Sequence, residues 1–258
     1  MLQAFAGKFC RCVQALVLPV VVLAVIFAAP AGAFAADADS QLIKAARSGD
    51  AATVERLLAG GVDIDHPDAN GFTALFIASM QGHGAIVEAL LAKGADIDVQ
   101  RKNGATALIA ASQNGHGAIV DALLAKGAAV DVQAYKGDTA LIMASQKGHG
   151  AIVEALLAKG AAIDVEANNG ATAFIMASAY GHGAIVEALL AKGAAIDVQT
   201  NNGATALFFA SLQGHGEIVE ALLANGANTE LRLKDGRTAL DIAKNAAIKD
   251  MLRAAAKP

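Results

Sequence analysis

Five histidines stand 33 residues apart: His83, His116, His149, His182 and His215. Imidazole is a common metal ligand, so such a row suggests a ladder of ion sites. The spacing argues against it. Equivalent positions in stacked helices lie about 8–10 Å apart, whereas a zinc–nitrogen bond is about 2.0–2.1 Å, so neighbouring rings would not share one ion. The structural reading is that each ring hydrogen-bonds loop backbone and ties one unit to the next. A sixth histidine, His66, lies in DIDHPDANG beside Asp63, Asp65 and Asp68. Carboxylates and an imidazole are donors that a divalent ion accepts. The same residues suit a polar turn tip, and that reading is preferred. Ser79, Ser112, Ser145, Ser178 and Ser211 also recur. A nucleophilic serine needs one singular environment with a base in reach; a serine repeated five times serves by being small. Glycines occur singly, not as a phosphate-cradling loop. The sequence therefore points to no catalytic residue, no cofactor and no metal.

The elements that carry these rows are copies of one another. GHGAIVEALLAKGA begins at Gly82 and returns unchanged at Gly148 and Gly181, with one substitution at Gly115 and two at Gly214. Gly71, Gly104, Gly137, Gly170, Gly203 and Gly236 keep the same interval, and each is followed two residues later by Thr and then Ala. The glycine supplies a turn that a Cβ resists. The Thr hydroxyl caps a short helix, expected over 74–81 in the first full copy and stopped by Gly82. Ile86, Val87, Leu90 and Leu91 form an apolar stripe at helical spacing on a second helix, with Glu88 and Lys93 off it. One such pair cannot bury its own stripe. Stacked copies can, and a low aromatic content of 4% with no Trp suits many small packing layers.

The Gly-x-Thr-x-Leu turn and cap, the Gly-His before the second helix, the Ile-Val-x-x-Leu-Leu stripe and the Gly-Ala after it resemble the ankyrin repeat over about residues 39–258. The resemblance implies an all-α solenoid of helix-turn-helix units with projecting β-hairpin loops. Within 37–258 the units are an N-terminal cap over 39–67, full repeats over 68–100, 101–133, 134–166, 167–199 and 200–232, and a C-terminal cap over 233–258. Lys44, Arg47, Glu55 and Arg56 at one end, and Lys244, Lys249, Asp250, Arg253 and Lys257 at the other, are expected to face water. The chain departs from the family's Thr-Pro-Leu-His with Thr-Ala-Leu-Phe at Thr73 and Thr205, Thr-Ala-Leu-Ile at Thr106 and Thr139, and Thr-Ala-Phe-Ile at Thr172.

Residues 1–36 have the layout of a secretory signal peptide. Lys8 and Arg11 precede an apolar run from Val13 to Ala29, and small residues suit cleavage after Ala35 or Ala36. The alternative is a retained membrane anchor. Cleavage would remove Cys10 and Cys12, the only cysteines, and leave 18 basic and 24 acidic residues. That balance argues against nucleic acid as partner. A periplasmic or secreted protein is expected, with no membrane association after cleavage. Nothing calls for a second copy, and a monomer is the expectation.

What differs between copies is where specificity must lie. The copies vary at the loop tips and at the end of the first helix. The resemblance places those positions on a concave face that binds partner proteins. Phe72, Met80, Tyr135, Tyr180 and Leu212 are apolar or aromatic at positions expected to be exposed, and aromatics and Met anchor interfaces. With Lys147 they form the expected central strip, while Arg101, Lys102, Lys136 and Asp138 would set orientation. The function expected is capture of another protein, as scaffold, inhibitor or protector of an exported protein. The alternatives are a secreted effector acting on a host protein and a metal-dependent protein centred on His66.

Overall fold

The structure, a computed structural model, describes residues 31–256, with side chains from Ala38 onward. The chain divides into two units, Met1–Asp37 and Ala38–Pro258. The apolar run, both cysteines and Lys257 lie outside the described residues, and with them most of the expected leader. Among the described residues no helix is long and apolar enough to cross a membrane.

Helices come in pairs. The N-terminal cap repeat is formed by α1 (Ala31–Ser48) and α2 (Ala51–Ala59). The five full repeats hold α3 (Ala74–Gln81) and α4 (Gly84–Ala92), α5 (Ala107–Asn114) and α6 (Gly117–Ala125), α7 (Ala140–Lys147) and α8 (Gly150–Ala158), α9 (Ala173–Tyr180) and α10 (Gly183–Ala191), and α11 (Ala206–Gln213) and α12 (Gly216–Ala224). The last unit holds α13 (Ala239–Ile242) and α14 (Ala246–Ala255). First helices of successive repeats pack on one another, α3 on α5, α5 on α7, α7 on α9 and α9 on α11, and the second helices form a parallel outer row.

Helices of eight or nine residues are marginal alone, so packing holds them. An inner helix lies between two neighbours and its own outer helix, and Ala74 through Ser79 are all buried. An outer helix buries one stripe, Ile86, Val87 and Leu90 in α4, and leaves Glu88 in water. Leu91, expected on that stripe, is only half-buried. The caps turn charge outward: Lys44, Arg47, Glu55, Arg56, Lys244, Asp250 and Arg253 are exposed, and Lys249 is half-buried.

Each inner helix of the five full repeats is capped by its Thr, as at Thr139, whose Oγ1 accepts from the Ile142 amide at 3.2 Å. Three ladders then join repeat to repeat. In the first, His116, His149, His182 and His215 place Nε2 at 3.1, 3.3, 3.1 and 3.2 Å from the carbonyls of Met80, Gln113, Gln146 and Ala179. A carbonyl only accepts, so Nε2 carries the proton. These acceptors belong to the last turn of the preceding inner helix, where carbonyls have no partner within the helix; the acceptor expected from sequence was loop backbone. In the second ladder, Oδ1 of Asp65, Asp98, Asp131, Asp164 and Asp197 accepts the amide of the residue 31 positions on, at 3.0–3.1 Å. The third runs through the tips: Tyr135 N donates to Asn103 O at 2.6 Å, Asn168 N to Lys136 O and Asn201 N to Asn169 O, both at 2.8 Å.

Glycine is required where these ladders pass. Gly148 ends α7 in the left-handed region, and a Cβ on it would lie 2.6 Å from the His182 ring. At the tip, a Cβ on Gly137 would lie 2.7 Å from the Asn168 amide nitrogen. Each tip is closed by one pair of contacts, such as Ala134 N to Asp138 O at 3.0 Å and Gly137 N to Ala134 O at 2.7 Å. This is too short for a strand, and no strand occurs among the described residues. The β-hairpin expectation is therefore corrected to tight turns.

The hydroxyls of Ser79, Ser112, Ser145, Ser178 and Ser211 are buried without a hydrogen-bond partner. A buried unpaired polar group costs about 1–3 kcal/mol, so Ser145→Ala is expected to raise stability by about 1 kcal/mol in urea denaturation. The interior inner helices are capped by Thr, which does not titrate, but two helices in the end units depend on carboxylates. Hydrogen bonding by Thr53 holds the Asp50 carboxyl below its ordinary range, and hydrogen bonding by Thr238 does the same for Asp241. A depressed carboxyl stabilises above its unfolded value and loses that contribution as pH falls through the folded one. Hydrogen-exchange protection of α2 and α13 should therefore decline in acid before that of α5, α7 and α9.

Candidate partner-binding groove

The loop tips and inner helices together border a trough. One part, about 500 Å³, is lined by Asn103, Ile109, Gln113, Tyr135, Lys136, Asp138, Met143, Gln146 and Met176 among others. The adjoining part, also about 500 Å³, shares Asn169 and Met176 and continues to Tyr180, Phe209 and Gln213. The trough thus runs across repeats two to five.

Among the described residues the exposed large hydrophobics are Tyr135, at 82% of its maximal exposure, and Tyr180, at 56%. Tyr135 stands on a tip whose backbone is held from both sides, since Asn168 Nδ2 donates to its carbonyl at 2.8 Å. Tyr180 closes α9, and its hydroxyl accepts from Gln146 Nε2 at 3.3 Å. Both rings are therefore presented from anchored positions. Lys136 and Asp138 join Tyr135 in the same part of the trough. Lys147 is exposed at the end of α7, in register with Tyr180 and Gln213, which puts it on the rim.

The other sequence-predicted residues lie differently: Phe72, Met80 and Leu212, expected to be exposed, are half-buried. Phe72 is half-buried, its ring 5.3 Å from that of Phe76. Arg101 is half-buried too, with its guanidinium 4.0 Å above the Phe72 ring, a cation–π contact that turns it inward. Lys102 Nζ donates to Ala69 O at 2.6 Å and bridges two tips. Met80 packs against the core, and Leu212 is half-buried and borders neither part of the trough. Apolar side chains at these helix ends and tips find neighbouring repeats to lean on. Tyr135 and Tyr180 are held off by their hydroxyls and by their places at a tip and a helix end.

Sequence reasoning missed the floor. Met143, Met176 and Phe209 occupy one position, four residues after the capping Thr, and are half-buried in the trough. Phe209 is braced edge-on by Phe208 at 6.0 Å. The signal existed, because that position reads Ile77, Ala110, Met143, Met176 and Phe209 in successive copies.

The family comparison agrees with this architecture. A family model described as ankyrin repeats, in three copies, matches residues 5–101, 42–134, 130–200 and 174–255. The chain belongs to the ankyrin-repeat family. The ankyrin-repeat domain of human ASB11 is 31% identical, with a TM-score of 0.75, covering 84% of this chain and 98% of that one. The ankyrin-repeat domain of Bcl-3, described as a unique member of the IkappaB protein family, is 28% identical with a TM-score of 0.72, covering 82% and 97%. No curated protein matches. Ankyrin-repeat domains generally mediate protein–protein interaction and are typically non-catalytic scaffolds.

At the His66 segment of this ankyrin-repeat chain the carboxylates are engaged with backbone. Asp65 accepts the Asp96 amide, and Asp68 accepts those of Asn70 and Phe72. His66 Nδ1 is 3.7 Å from Asp39 and 3.8 Å from Asp63, beyond good hydrogen-bond length. Burial pushes the Asp65 carboxyl above its ordinary range; the Asp96 amide opposes this, and the charges of Asp96 and Asp63 add to it. Among the described residues no group of three or more His, Cys, Asp or Glu is arranged to hold a metal ion.

The placement can be checked by stability alone. Tyr135→Ala and Tyr180→Ala should each change stability by about 0.5 kcal/mol or less, as for exposed sites. Phe72→Ala should cost about 2 kcal/mol, less than a fully buried Phe. Equal losses for Tyr180 and Phe72 in chemical denaturation would contradict the exposure assigned here.

Proposed function

We propose that the protein is an exported, non-catalytic binding module that captures a partner protein in the trough spanning repeats two to five. The observation that carries this is the exposure of Tyr135 and Tyr180, both on that trough. Exposed aromatic side chains above an apolar floor are the composition of an interface centre. Its role is to scaffold, inhibit or protect an exported protein, and it acts as a monomer in the periplasm or outside the cell. The charged start, apolar run and small residues of 1–36 support export. The family supports a protein partner.

The test is a crosslinking pull-down from a periplasmic fraction with the purified protein and its Tyr135→Ala, Tyr180→Ala variant. A protein captured by the first should fall at least tenfold in recovery with the second. Capture of the same set by both would exclude the trough as the site, and partition of the protein entirely into the cytoplasm would exclude export.

A further inference from the structure

The charge on the trough face does not follow the charge of the chain. The tip and inner-helix segments of the five full repeats, 68–81, 101–114, 134–147, 167–180 and 200–213, carry four basic and two acidic residues. The rest of the chain carries 16 basic and 22 acidic residues. An acidic protein thus keeps a face with a slight excess of positive charge. That charge is also confined to one end. Segments 167–180 and 200–213 contain no charged residue, while Arg101, Lys102, Lys136 and Lys147 all lie in repeats two and three.

The four cations are not equivalent. Arg101 is spent on the Phe72 ring and Lys102 on the Ala69 carbonyl. Lys136 and Lys147 are exposed and make no ion pair among the described residues. Asp138 is half-buried beside Lys136, and Asp68 is paired with Arg47 at 3.6 Å. What faces outward is a basic end over repeat three and an uncharged end over repeats four and five, floored by Met176 and Phe209 and edged by Tyr180.

Resting on the protein-capture reading above, we infer that the occupant is an extended segment of the partner with two unlike ends. Carboxylates at one end lie over Lys136 and Lys147, and apolar side chains at the other lie over Met176, Tyr180 and Phe209. Opposite charge steers such a segment and fixes its direction, and like charge at the same place rejects others. Repeats spaced about 8–10 Å apart advance by about three residues of extended chain, so a short segment meets both ends. A nucleic-acid strand is a poorer match, because its phosphates continue at every step while the tips and inner helices of repeats four and five carry no cation.

The experiment is selection of a displayed library of random peptides of about 12 residues, ~40 Å when extended, on the purified protein. Binders are then re-tested by fluorescence anisotropy against Lys136→Glu, Lys147→Glu and against Tyr135→Ala, Tyr180→Ala. The expected result is enrichment of peptides with Asp or Glu at one end and apolar residues at the other. They should lose at least tenfold in affinity on charge reversal and weaken as salt rises. Binders that are lost with the tyrosines but show no acidic end, or ignore charge reversal, would overturn this inference and leave the trough as the protein-binding site. Binders indifferent to both variants would overturn the two readings together. Failure of any peptide to enrich, alongside tyrosine-dependent capture of a whole protein, would overturn the extended occupant alone.

Discussion

The contact on which the rest depends is the imidazole that crosses from one repeat to the last turn of the previous inner helix. It satisfies a carbonyl the helix cannot satisfy itself, and it fixes where the next repeat sits. The ring fits because the residue beneath it is glycine, which also supplies the left-handed turn that ends the helix. A polar contact of this kind specifies alignment in a way the apolar stripe cannot, since Ile, Val and Leu pack acceptably in more than one register. The aspartate and tip ladders repeat that logic at two further heights, so each repeat is pinned to its neighbour along one edge rather than at a point.

Much of this was legible in the sequence because the pattern was copied. Ala74–Gln81 could be bounded to the residue, since Thr73 caps it and Gly82 stops it. The use of His116, His149, His182 and His215 as ties followed from spacing too large for a shared ion. The aspartate ladder was not legible. Asp65 near His66 looks like a metal donor until one sees that its partner is an amide in the next loop, 31 residues on. The tips were misread in a related way. A residue that varies between copies looks unconstrained, yet Asn168 and Lys102 vary and are still engaged in bridging adjacent tips.

Exposure was the hardest thing to read. Phe72, Met80 and Leu212 stand at positions expected to be open, yet each is half-buried. Which side chain is covered depends on its length and on what the adjacent copy offers, as Arg101 shows by lying across Phe72. The floor residues Met143, Met176 and Phe209 escaped notice for the opposite reason: they sit inside a helix where variation looks like interchangeable core.

The near-identity of the outer segments has an evolutionary consequence. Residues 148–161 and 181–194 are the same, so loss of the 33 residues 148–180 joins Lys147 to Gly181 without leaving a seam. The shortened stack would keep its ladders in step but would lose Met176 and Tyr180 at a stroke. Gain of a unit would lengthen the trough as simply. Copy number, not point substitution, is then the fast route by which such a lineage exchanges one partner for another, while the contacts between the remaining repeats keep their form.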